Sequence, residues 1–86
     1  MSLPNLVDTL HGYTRQLALL QPVSSEELRQ LTRRFCHDCA AAGLDVETVR
    51  GLARLCAVEA RRPNVHLPER VAALVDVMAV EDSARP

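Results

Sequence analysis

Residues 35–55, FCHDCAAAGLDVETVRGLARL, contain the joint around which the fold is organised. Gly43 is well suited to the left-handed position just after a helix, and Leu44 supplies the apolar contact that accompanies such an ending. Asp45 is then a favourable N-cap for a new helix, with Glu47 in its first turn. This stretch therefore predicts two helices separated by a tight turn.

The sequence before this joint predicts two amphipathic helices. In LPNLVDTLHGYTRQLALLQ the apolar residues alternate three and four positions apart, which is the seam of a coiled coil or tight bundle. Gly12 interrupts this helix at a cost of about 1 kcal/mol relative to alanine, so we expect it to mark a close helix crossing. Ser24 and Glu27 form a capping box that starts the second helix near residue 25. The seam consists of Leu3, Leu6, Leu10, Tyr13, Leu17 and Leu20.

After the joint, apolar side chains again recur at helical spacing between positions 46 and 61, which predicts a third helix. Pro68 suits the first turn of a fourth helix, and the final EDSARP is polar and expected to fray. We predict an all-α fold, a small four-helix bundle-like domain with short loops that occupies residues 1–86. The predicted helices span about residues 4–21, 25–42, 46–61 and 68–80, followed by a frayed tail at 81–86.

The composition indicates a bacterial origin and disfavours a protein that stacks nucleobases on its surface. The 86 residues carry a net charge of −1, and all ten basic residues are arginine. The absence of lysine and isoleucine is typical of a GC-rich bacterial genome. Tyr13 and Phe35 are the only aromatic residues, too few for a surface that stacks nucleobases.

Several kinds of signal are missing from the sequence. No apolar run approaches the roughly 20 residues needed to cross a bilayer, and no secretory signal is visible, so we expect a cytoplasmic protein without membrane association. There is no glycine-rich phosphate loop, spaced carboxylate pair or metalloprotease pattern. We therefore expect neither enzymatic activity nor a cofactor.

The cysteines raise the question of a structural zinc site. Cys36, Cys39, Cys56 and His66 together make a Cys₃His set of the kind that binds zinc. However, Cys36 and Cys39 lie inside a strong helical pattern rather than on a tight knuckle. We favour the interpretation that Cys39 and Cys56 are small buried hydrophobic residues on facing helices, and zinc binding remains an alternative.

Residues 35–55 also resemble a helix-turn-helix unit, which places a small residue in its first helix, glycine in its turn and β-branched residues in its second helix. The resemblance implies a DNA-binding regulator that presents Thr48, Arg50 and Arg54 to the major groove, where arginine can pair with guanine. The slightly acidic chain offers little attraction for phosphates, so this too remains an alternative.

The hypothesis we favour is a protein–protein interaction module of the regulator, adaptor or chaperone-like type. The long apolar seam of the first helix exceeds what three further helices are expected to cover, and uncovered apolar surface is a binding site or a dimer interface. We expect a homodimer or a complex with a helical partner. The predicted contact residues are Leu6, Leu10, Tyr13, Leu17 and Leu20.

Overall fold

The computed structural model describes residues 3–20, 24–61 and 65–84, and all of its regular structure is helical. It confirms the predicted all-α, four-helix bundle-like fold. Within these ranges no helix is long and apolar enough to cross a membrane. The predicted last residue of the first helix, residue 21, lies outside the described residues. So do the last two residues of the predicted tail, 85 and 86. The helices are α1 (Leu3–Leu19), α2 (Ser25–Ala41), α3 (Val46–Ala60) and α4 (Leu67–Ala84).

Side-chain caps begin the two central helices. The Ser24 hydroxyl oxygen accepts a hydrogen bond from the backbone N–H of Glu27 at 3.2 Å. Asp45 Oδ1 likewise accepts the N–H of Thr48 at 3.1 Å. Hydrogen bonding with the Thr48 side chain, and then with this N–H, lowers the pKa of the Asp45 carboxyl group. Each cap satisfies one of the N–H groups that a helix start leaves without an intrahelical partner.

The turn between α2 and α3 is a Schellman ending. Gly43 has a φ of 83°, the left-handed region that an L side chain rarely adopts. Its N–H donates to the carbonyl oxygen of Ala40 at 2.9 Å, and the N–H of Leu44 donates to that of Cys39 at 3.2 Å. The turn signals in the sequence therefore predict this geometry correctly.

Each helix packs against two others, and the order around the core is α1, α2, α4, α3. The most extensive contact joins α3 to α4, and α1 packs mainly on α3. Although α2 and α3 are consecutive, they scarcely touch in the described part of the chain. Arg70 bonds Ser25 and Glu81 pairs with Arg33, so α2 and α4 run in the same direction.

The core takes side chains from all four helices. It also contains the buried polar residue Thr32, which the apolar pattern of the sequence does not reveal. Leu31 and Leu74, which lie at apolar positions of α2 and α4, are only partly buried against it. The buried apolar residues are Tyr13, Leu17, Leu28, Phe35, Cys39, Val49, Ala53, Cys56, Ala57, Ala60, Leu67, Val71, Val75 and Met78.

Two local predictions are wrong. Gly12 is exposed, and a Cβ added to it would meet nothing within 4 Å, so it does not mark a close helix crossing. Residues 81–84 belong to α4 rather than to a frayed tail. Neither glycine nor proline interrupts those four residues, and Glu81 Oε2 lies 3.6 Å from Arg33 Nη2 of α2.

Candidate protein-binding surface

Tyr13 and Leu17 of the α1 seam face the interior, so for these two residues the predicted partner contact is wrong. Tyr13 is 4% exposed and Leu17 is 0% exposed, because α2 and α3 cover this side of the helix. Leu6 and Leu10 are half-buried and pack against the core, and Leu20 is half-buried too. Tyr13 and Leu17 therefore stabilise the domain itself and are not accessible to a partner.

Tyr13 is fixed by a buried polar and aromatic contact. Its hydroxyl group lies 3.0 Å from the Thr32 hydroxyl oxygen. Its ring stacks on Phe35, with 4.1 Å between ring centroids and 13° between the planes. Burial raises the pKa of the Tyr13 phenol well above its ordinary value. Both aromatic residues of the chain are therefore committed to the core.

The four residues of the predicted zinc set are not gathered into a ligand cluster. Cys39 and Cys56 are buried, Cys36 is half-buried, and His66 is exposed. Burial raises the pKa of the Cys39 thiol to about 11, which disfavours the thiolate that zinc requires. Among the described side chains, no three histidine, cysteine or carboxylate residues are placed to hold a metal ion.

Hydrogen bonding supports the interpretation of Cys56 as a core residue. Its Sγ donates to the backbone carbonyl oxygen of Leu10 at 3.7 Å, which joins α3 to α1. Burial also raises the pKa of this thiol. Cys56 therefore behaves as a small buried hydrophobic residue with a weak donor.

The three predicted DNA-reading residues differ in exposure and in ion pairing. Thr48 and Arg54 are exposed on α3, but Arg50 is half-buried and its Nη2 pairs with Asp76 Oδ1 of α4. The Arg50 Nε has no hydrogen-bond partner among the described residues. Because α2 and α3 scarcely touch, they also lack the mutual packing that holds a recognition helix in a helix-turn-helix.

A stripe of exposed apolar residues lies on α4. Val77 is 47% exposed and Val80 is 69% exposed, and Ala73 is exposed one turn before Val77. These three residues, which we call the α4 stripe, are spaced i, i+4 and i+7 and so lie along one side of the helix. This spacing is the one by which helices present apolar side chains to a neighbouring helix.

A groove between α2 and α4 adjoins the stripe. This α2/α4 groove has a volume of about 280 Å³. Arg29 and Arg70 are the charged residues that line it. Arg70 Nη2 donates to the Ser25 hydroxyl oxygen at 3.3 Å, and neither arginine has an ion pair within the described chain. The lining residues are Ser25, Leu28, Arg29, Arg70, Ala73, Leu74 and Val77.

Exposed apolar side chains also occur on other helices, and Leu55 and Val58 of α3 lie one turn apart. Leu19 of α1 is 74% exposed, and Leu55 and Val58 of α3 are 64% and 46% exposed. None of these three lines a groove that also carries charged residues among the described pockets. The α4 stripe carries more weight than these residues because it adjoins a groove whose arginines can orient a partner.

The sequence of α4 indicates that this helix has exposed apolar residues, but its helical pattern alone does not show which ones. In RVAALVDVMAV, residues 70–80, apolar residues occur on every side of the helix. A helix that is apolar all round needs more cover than one packed face provides. Val77 and Val80 are the residues left over once Val71, Val75 and Met78 have packed into the core.

Comparisons of the chain with protein-family models, with curated proteins and with solved structures give no match.

Proposed function

We propose that this domain acts by binding another protein through the α4 stripe and the α2/α4 groove, as a small regulator or adaptor does. The observation that carries the proposal is the exposure of Val77 and Val80 beside a groove with an apolar floor. Such a surface is favourable to cover, since apolar area removed from water contributes about 25 cal/mol per Å².

The magnitudes favour a moderate, reversible interaction. Fully burying a valine contributes about 1.5 to 3 kcal/mol. The exposed parts of Val77 and Val80, 47% and 69%, together amount to slightly more than one valine. A micromolar complex needs about 8 kcal/mol, so most of the affinity has to come from the rest of the interface, including contacts in the groove.

The test is site-specific photo-crosslinking in the host organism. A benzoylphenylalanine replaces Val80 in one variant and Leu55 in a matched control, because these positions are 69% and 64% exposed and lie on different helices. We expect a discrete protein adduct from position 80 that is absent at position 55. Equal adducts at both positions, or none at position 80, would contradict the proposal.

A further inference from the structure

We infer that the occupant of the α2/α4 groove is an acidic amphipathic helix of another protein. This inference rests on the proposed function and adds the chemistry of the partner. The groove lies between two helices that run in the same direction, and a third helix fits such a groove by placing its apolar side against the floor. Leu28 and Leu74 form that floor, and Val77 extends it.

The charge of the groove indicates an acidic partner. Arg29 on α2 and Arg70 on α4 both line it, and no carboxylate does. Two guanidinium groups facing one groove repel each other, and carboxylates of a bound chain would offset that repulsion. Arg33, one turn beyond Arg29, is already paired with Glu81. Arg29 and Arg70 are therefore the arginines expected to bind the carboxylates of a partner.

The positions along α4 give the spacing of the partner's residues. Arg70 and Val77 are seven residues apart, or about 10 Å along a helix with a rise of 1.5 Å per residue. The partner helix is therefore expected to place a carboxylate about two turns away from its apolar contacts.

The charges next to the stripe argue against a second copy of this chain as the occupant. Asp76 and Glu81 are the carboxylates adjacent in sequence to Val77 and Val80. Both are already paired within the domain, with Arg50 and Arg33 respectively. In a dimer through α4, these carboxylates would have to leave their own partners in order to reach Arg29 and Arg70 of the other copy.

The test compares two synthetic helical peptides, each about 18 residues long so that a helix can form on binding. The acidic peptide has leucines at i, i+4 and i+7 flanked by glutamates, and the basic control has lysine in place of every glutamate. Fluorescence anisotropy measures binding of each peptide to the full chain. We expect the acidic peptide to bind about tenfold more tightly, with a preference that shrinks as salt rises from about 50 to about 500 mM.

Variants of the protein locate the interaction. Replacing both arginines, Arg29→Glu with Arg70→Glu, is expected to reverse the preference so that the basic peptide binds more tightly. Val80→Ser is expected to weaken binding of both peptides, whereas Leu55→Ser, the matched control on α3, leaves both unchanged. All of these positions except Arg70 are exposed, and circular dichroism checks that each variant folds.

Three results would overturn this inference. The first is equal binding of the two peptides, and the second is binding of neither. The third is a dimer, measured by analytical ultracentrifugation, that Val80→Ser dissociates, since the occupant would then be a second copy. If position 80 still crosslinks to a different protein after either of the first two results, the proposed function stands and only the partner's chemistry is wrong. A position 80 adduct that contains only a second copy of this chain contradicts both the inference and the proposed function.

Discussion

The buried contact between Tyr13 and Thr32 gives a quantitative prediction about stability. Tyr13→Phe removes the phenol oxygen that lies 3.0 Å from the Thr32 hydroxyl, and Thr32 is 0% exposed. A buried polar group left without its partner costs about 1 to 3 kcal/mol. Thr32 can recover part of this loss by bonding a carbonyl in the preceding turn of α2, so we expect a cost of about 1 to 2 kcal/mol.

Thr32→Val, which leaves the phenol without its partner, is expected to cost a similar amount. The double variant removes both polar groups and keeps the shape, so it should lose less than the sum of the single changes, by about 1 kcal/mol or more. Urea unfolding followed by circular dichroism measures all four proteins. Additive single effects, within about 0.5 kcal/mol, would refute the view that these two hydroxyl groups depend on each other.

Two glycine substitutions, a cap substitution and a pH change have effects on stability whose signs follow from the structure. Gly12→Ala is expected to stabilise the domain by about 1 kcal/mol, because Gly12 lies exposed within a helix. Gly43→Ala is expected to destabilise it by about 1 to 2 kcal/mol, because Gly43 has a φ of 83°. Urea unfolding measures both, and two changes of the same sign would contradict these backbone conformations. Ser24→Ala removes the cap on Glu27 and should lower the free energy of unfolding by about 1 kcal/mol, whereas Ser24→Gly should lower it by only a few tenths. Burial raises the pKa of the Cys39 thiol from 9.0 to about 11, so the unfolded chain loses this proton at a lower pH than the folded chain. The contribution of Cys39 to the free energy of unfolding is therefore complete below pH 9 and falls as the pH rises to 11. Thermal unfolding across that window in reducing buffer should show the fall, with a shallower slope for Cys39→Ala; the same slope in both proteins would exclude Cys39 as a cause.

Local signals in the sequence were sufficient to predict the helices. Ser24, Gly43 and Asp45 each act through hydrogen bonds or backbone angles within a few residues, and each does so as predicted. The end of α4 was less accessible, because the pairing of Glu81 with Arg33 joins residues that are far apart in sequence. Thr32 was missed for the same reason, since its partner Tyr13 lies on another helix.

The sequence predicts the binding surface on α1, whereas we propose it on α4, because periodicity shows which side of a helix is apolar but not what covers it. The seam of α1 is the most regular in the chain, and regularity of this kind marks a side that packs well. Tyr13 and Leu17 are accordingly buried. In α4 the apolar residues have no single side, so the extent of its uncovered surface depends on how α2 and α3 are positioned.

The central claim is that α4, and not α1, carries the binding surface, and an NMR titration tests it most directly. The acidic peptide is added to the isotopically labelled chain, and the backbone amide shifts are followed residue by residue. We expect the largest shifts at Arg29, Ala73, Val77 and Val80. Shifts concentrated on the exposed residues of α1, such as Val7 and Leu19, with α4 unaffected, would contradict it.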